Sequence, residues 1–236
     1  MTPTSTAARD ETPAEVELDA AALVFDNDGV LVDSVEAGNE AWTRWAEEHD
    51  QDPAHVLTVI HGRRAADTVA DLLATEAPDR VAAASARIDE LELETAHRAR
   101  ALPGAHALLT ALAALADSDG LRWAVATSGG RPLARARIEA AGLPVPAVLV
   151  TAEDVEAGKP APDPYVTAAA RLGVDPAECV VFEDTEAGIE AGRAAGATVV
   201  GVNLMAGPGA AAHVVTDLAS VSCHAQDGRV VVRLAT

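Results

Sequence analysis

Short apolar runs closed by polar or glycine-rich turns recur along the chain, at residues 23–25, 121–126, 147–150, 179–182 and 197–202. Runs of this length bounded by turn signals predict buried strands. Weaker runs at 213–215 and 229–234 are further strand candidates. Between the runs, apolar residues return every three or four positions. This spacing predicts helices at 34–49, 56–60, 65–74, 81–101, 105–116, 131–141, 164–172 and 187–195. From residue 103 onward strands and helices alternate, the pattern of a doubly wound, Rossmann-like parallel α/β sheet. Residues 36–102 break the alternation. They carry no strand signal, follow directly on the first strand, and end at the stop Leu102-Pro103-Gly104. The expected organisation is therefore an α/β core formed by 18–35 and 103–236, with an inserted all-helical cap at 36–102. Residues 1–17, rich in Thr, Ala, Pro and Glu, read as a disordered leader. They lack the basic and apolar regions of a signal peptide. Gly207-Pro208-Gly209 marks an irregular turn after the last strong strand.

Composition adds a constraint on partners. Lys and Arg number 17 against 37 Asp and Glu, a formal charge of −20. So acidic a surface argues against nucleic acid and anionic membranes as partners, and an anionic substrate would need a local positive potential at its site. Two cysteines, Cys179 and Cys223, are too few for a disulfide framework, and Cys179 reads as a core thiol. No stretch is apolar for long enough to span a bilayer. A cytoplasmic monomer is the expectation.

The candidate chemistry lies at the strand ends. The first strand runs into Asp26-Asn27-Asp28-Gly29. On extended backbone, residues i and i+2 point the same way, so the two carboxylates can converge just past the strand. A divalent cation or a shared proton would relieve their repulsion. An Asx-rich turn capping the next helix reads the same residues equally well. The second strand ends in Thr127-Ser128-Gly129, which also suits a helix N-cap. Lys159 follows the third strand, in a loop with prolines on both sides of Ala161. The fourth ends in Glu183-Asp184. A parallel sheet brings these ends to one edge, where ligands bind. Hard oxygens suit a magnesium ion, while a lysine, a hydroxyl and backbone amides suit a phosphoryl group.

Together these four segments resemble the motifs of the haloacid dehalogenase superfamily of phosphohydrolases, in the subgroup with a helical cap after the first strand. The resemblance covers about residues 21–220. It implies that Asp26 is a nucleophile forming an aspartyl-phosphate and Asp28 an acid/base. Thr127 and Ser128 would hold the phosphoryl group, and Lys159 would neutralise both it and the nucleophile. Asp26, Asp28 and Asp184 would bind Mg²⁺, with Glu183 in or beside that set. A carboxylate at Asp28 favours phosphate esters over halide displacement, which needs no leaving-group proton. In the cap, His61-Gly62-Arg63-Arg64 is similar to the specificity segment of small sugar-phosphate and polyol-phosphate phosphatases. Ser34 reads as the N-cap of the first cap helix, Trp42 and Trp45 as cap packing, and Asp163 as a loop-ordering acid or cap. The expected activity is hydrolysis of a small sugar or polyol phosphate. A β-phosphoglucomutase-like enzyme, a phosphoglycolate phosphatase and an idle sugar-phosphate-binding protein are the rivals.

Overall fold

The computed structural model describes residues 15–204 and 211–235. Its central layer is a parallel sheet. In spatial order the strands are β6 (Val148–Val150), β5 (Arg122–Ala126), β2 (Ala22–Phe25), β7 (Cys179–Glu183), β8 (Thr198–Val202) and β9 (His213–Val215). β2 lies inside the sheet, parallel to both neighbours, and every one of its residues is buried. Leu23 and Phe25 enter one apolar cluster and Ala22 and Val24 the other. A strand covered on both faces needs no polar alternation, hence its continuous apolar run. Phe25 stacks on Phe182 of β7 with ring centroids 4.7 Å apart, which pins the register of the two site-bearing strands.

One face of the sheet is covered by α5 (Ala105–Asp119) and α6 (Arg131–Ala140), through Leu108, Leu109, Leu112, Ala134 and Ile138. The other is covered by α7 (Asp163–Leu172) and α8 (Glu186–Ala194), through Tyr165, Ala168, Ala169 and Ile189. α1 (Val35–Glu48), α2 (Pro53–Val59), α3 (Ala65–Leu72) and α4 (Pro78–Thr95) enclose a separate core of Trp45, Val56, Val69, Ile88 and Leu91. The Trp45 indole N–H donates to the Ala84 carbonyl at 2.9 Å, so its buried polar atom is satisfied.

Two expectations change, and one strand is added. Residues 15–17 are not leader: β1 (Glu15–Ala20) pairs antiparallel with β11 (Arg229–Ala235), which also pairs with β10 (Val221–Gln226). Val230, Val232 and Leu234 of this sheet join the cluster beneath α5. A reading built on continuous apolar runs misses β10, because Ser222, His224 and Gln226 alternate with its apolar residues. The helical block is also not purely helical. It is entered and left through a two-stranded antiparallel pair, β3 (Val32–Asp33) and β4 (Arg100–Ala101). Residues 1–14 and the Gly207-Pro208-Gly209 turn lie outside the described residues.

Candidate active site

The carboxyl ends of β2, β5 and β7, with the loop after β6, face the helical block across a cleft of about 450 Å³. Parallel register brings the strand ends to one level: the Asp26 amide donates to the Phe182 carbonyl at 2.9 Å, placing Asp26 beside Glu183 and Asp184. The Lys159 ammonium donates to Asp26 Oδ1 and Glu183 Oε1, both at 2.6 Å. Glu183 is buried completely and is saturated with donors. Tyr165 O–H reaches Oε1 at 2.5 Å, and the Asp184 and Thr185 amides reach Oε2 at 2.9 and 3.2 Å. A side chain so engaged organises the site around it. Gly188 packs directly on this carboxylate, and a methyl there would overlap it.

The electrostatics suit a bound cation. Burial pushes the Asp26 carboxyl up to about 7, against the pull of Lys159. Burial, with Asp26 and Glu183 alongside, pushes Asp184 up to about 9. Burial also raises Glu183, but Lys159 and the donors just named outweigh it and hold this carboxyl below its usual value. Burial works against the Lys159 ammonium, yet Asp26 and Glu183 raise it well above the ordinary lysine value. One ammonium thus serves three carboxylates. Asp26, Glu183 and Asp184 each offer an oxygen within 4.8 Å of the others, and Asp184 Oδ1 is buried without a partner. A hard divalent cation fits such an all-oxygen set and would repay the desolvation. Gly29, at φ +86°, closes the cradle: a methyl there would overlap the Asp184 carboxylate.

Thr127 is buried at the end of β5 and lines the cleft. Its hydroxyl accepts from the Gly129 amide at 3.1 Å, so it orders the turn; the N-cap of α6 is Gly130. Ser128 reaches the other wall, its hydroxyl donating to the Gly62 carbonyl at 3.1 Å. Asp28 is bound on both oxygens. Oδ1 accepts from Ser34 Oγ at 2.6 Å and from an Arg137 Nη at 3.0 Å, and Oδ2 from Asn27 Nδ2 at 3.1 Å.

Ser34 corrects the expectation of a helix cap. It occupies the N-cap position of α1 but makes no capping bond, because its hydroxyl is held by Asp28. Asp163 does order its loop, accepting from the Ala157 amide at 3.0 Å. Trp45 is fully buried in the helical core, whereas Trp42 also lines the cleft.

All four residues of the His61–Arg64 segment line the cleft, but neither arginine is free. Arg63 pairs with Asp71 at 2.6 Å. Arg64 pairs with Asp67 at 2.7 Å and donates to the Glu156 and Val155 carbonyls at 3.0 and 3.4 Å. Arg64 therefore latches the helical block to the loop that carries Lys159. Gly62, at φ +73°, lies against Thr185, where a methyl would collide with the threonine side chain.

Sequence reasoning missed Arg137, Glu92 and Tyr165. Arg137 of α6 bridges Asp28 and Glu92 of α4, the latter at 3.1 Å, with its side chain almost wholly buried. A signal was present. Arg137 falls on the buried stripe Leu133, Ala134, Arg137, Ile138, and Glu92 on Ala84, Ile88, Leu91, Glu92. A charged residue on an apolar helix face needs a buried partner.

Carboxylates, a lysine and an acidic metal cradle at the strand ends of a parallel sheet, facing a helical block, define a hydrolase of the phosphoryl-transfer kind. The chain belongs to the haloacid dehalogenase-like hydrolases, whose family model matches residues 20–196. It is 45% identical over 181 residues to hexitol phosphatase A of Escherichia coli, covering 77% of this chain and 82% of that one. It is 36% identical to glycerol-1-phosphate phosphohydrolase 2 of Saccharomyces cerevisiae, over 81% of this chain and 78% of that one. A hydrolase from Pseudomonas syringae has the same fold, with a TM-score of 0.70 and 28% identity over 84% of this chain and 93% of that one. This is a phosphatase of that family. No helix among the described residues is long and apolar enough to cross a membrane.

Proposed function

We propose that the protein is a Mg²⁺-dependent phosphatase of a small sugar or polyol phosphate monoester. The single observation that carries this reading is the Asp26–Lys159–Glu183–Asp184 cluster, buried at the strand ends, with Asp26 and Asp184 lining the cleft. The relatives named for hexitol and glycerol-1-phosphate chemistry support the substrate class.

In this reading an Asp26 oxygen attacks phosphorus in line with the ester oxygen. The phosphorus–ester bond breaks, and Asp28 gives its proton to the departing alkoxide. A water then attacks the aspartyl-phosphate, passing its proton to Asp28, and the Asp26 carboxylate leaves. Lys159 holds Asp26 in place and balances charge, and Thr127 with the amides of its turn receives phosphoryl oxygens. Asp26, Asp184 and the Asp28 carbonyl would hold Mg²⁺, with Glu183 supporting that set, and the ion would supply charge neutralisation for the transferring group. Residues 36–102 act as a cap that excludes bulk water and selects the leaving group, with His61, Arg63 and Arg64 on its rim. The acidic surface fits a cytoplasmic enzyme that is monomeric and binds neither nucleic acid nor membrane.

The test is phosphate release from a panel of sugar, polyol and carboxylic phosphomonoesters, with Mg²⁺ and with EDTA, beside Asp26→Asn. Turnover that requires both the metal and Asp26 is expected. Conversion of β-glucose 1-phosphate to glucose 6-phosphate without phosphate release would assign a mutase instead.

A further inference from the structure

Only four buried side-chain N or O atoms among the described residues lack a partner: Asn27 Oδ1, Asn39 Oδ1, Arg137 Nε and Asp184 Oδ1. Native interiors leave few such atoms, and each needs an explanation. Three of the four belong to residues that line the cleft. Asp184 is accounted for by a metal. Asn39 and Arg137 are not, and they lie on the other wall, where α1 and α4 of the helical block meet α6 of the core. Arg137 gives one N–H from each Nη to a carboxylate, Asp28 and Glu92, and its buried Nε–H is left without a partner. The Asn39 amide oxygen is an acceptor in the same state. The buried Glu92 and the exposed Asp89 complete the wall with further acceptors.

We infer that Asn39, Arg137, Glu92 and Asp89 form a leaving-group subsite for an uncharged polyhydroxy chain, one that rejects a second anionic group. This deepens the sugar or polyol phosphate reading and rests on it. A hydroxyl both donates and accepts, so successive hydroxyls can satisfy Arg137 Nε and the acceptors together. A second phosphate or a carboxylate cannot. It would confront Asp89, Glu92 and Asp28. Each arginine of the cleft wall is already spent on carboxylates: Arg63 on Asp71, Arg64 on Asp67, and Arg137 on Asp28 and Glu92. Like charges brought together at such a wall repel. The pocket thus discriminates by unpaired hydrogen-bonding groups on one side and by repulsion on the other.

The experiment compares two matched ligands, sorbitol 6-phosphate and sorbitol 1,6-bisphosphate. Binding is measured by titration calorimetry on Mg²⁺-loaded Asp26→Asn protein, and turnover on the wild type. The monophosphate is expected to bind at least about 100-fold more tightly and to show a matching advantage in kcat/KM. Asn39→Leu is expected to raise KM for the monophosphate about tenfold with a smaller change in kcat. Asp89→Asn is expected to narrow the gap between the two ligands about tenfold, through the bisphosphate. Equal or tighter binding of the bisphosphate would overturn the subsite, whatever the turnover. Preserved binding order in a wild type that releases no phosphate would leave the subsite standing and sink the phosphatase reading.

Discussion

Two buried cations, Lys159 and Arg137, each bridge two carboxylates in this site, and they do different work. Lys159 ties Asp26 to Glu183, and all three residues sit on the α/β core. Arg137 ties Asp28 of the core to Glu92 of the helical block. The first network is closed within one rigid sheet edge and is ready before any substrate arrives. The second exists only while α4 lies against α6, so it links the placement of Asp28 to that of the block above it. Preorganised charge lowers a barrier at no cost of rearrangement, whereas a charge pair across two packed units reports whether those units are docked. In the proposed mechanism these two networks serve Asp26 as a fixed nucleophile and Asp28 as an acid/base whose surroundings depend on the helical block.

The largest expected effect isolates the first network's purpose. Asp26→Asn keeps shape but removes the attacking oxygen, and kcat for phosphate release should fall by ~10⁴-fold or more. Retained activity would remove Asp26 from the role of nucleophile.

Next come the cations themselves. Lys159→Met and Arg137→Met each strand two carboxylates, and each is expected to lower stability by about 3–5 kcal/mol in denaturant melts. Mg²⁺ should restore much of the loss for Lys159→Met, because Asp26 and Glu183 belong to the metal cradle. It should restore little for Arg137→Met, whose carboxylates on Asp28 and Glu92 lie outside that acidic cluster. Equal rescue of both variants would show that the two networks are not separate.

pH sharpens the contrast further. Asp26 and Asp184 have folded-state values near 7 and 9, above the ordinary carboxyl value of 3.8. Between about pH 4 and 9 the metal-free folded chain therefore binds more protons than the unfolded one, and its stability falls as pH rises. The melting temperature of EDTA-treated protein should drop from pH 5 to 9. Bound Mg²⁺, by displacing those protons, should flatten the curve, and so should Asp184→Asn, which is also expected to abolish phosphate release. A metal-free curve that rises over this range would contradict the assignment of strain to these two acids.

The smallest effect concerns the cap latch. Arg64→Gln removes the bonds to the Val155 and Glu156 carbonyls and should lower kcat/KM about tenfold, through weaker closure. The unfolding midpoint should move by less than ~1 kcal/mol, because the pair with Asp67 is partly exposed.

The amino-acid sequence by itself determined the parallel core, the inserted helical block and the strand-end residues Asp26, Asp28, Thr127, Lys159, Glu183 and Asp184. These are legible because strand period and turn chemistry are local, and because a parallel sheet necessarily gathers its carboxyl ends on one edge. The antiparallel sheet formed by the two ends of the described chain was not legible. Its pairing of Glu15 with Ala235 joins weak patterns across almost the whole length. Ser34 looked like a cap and became a donor to Asp28, a partner six residues away that only the folded turn brings within 2.6 Å. Arg137 and Glu92 were visible only as misplaced charges on apolar stripes. Which charge answers which is decided when two helices 45 residues apart pack together, and only the tertiary structure carries that choice.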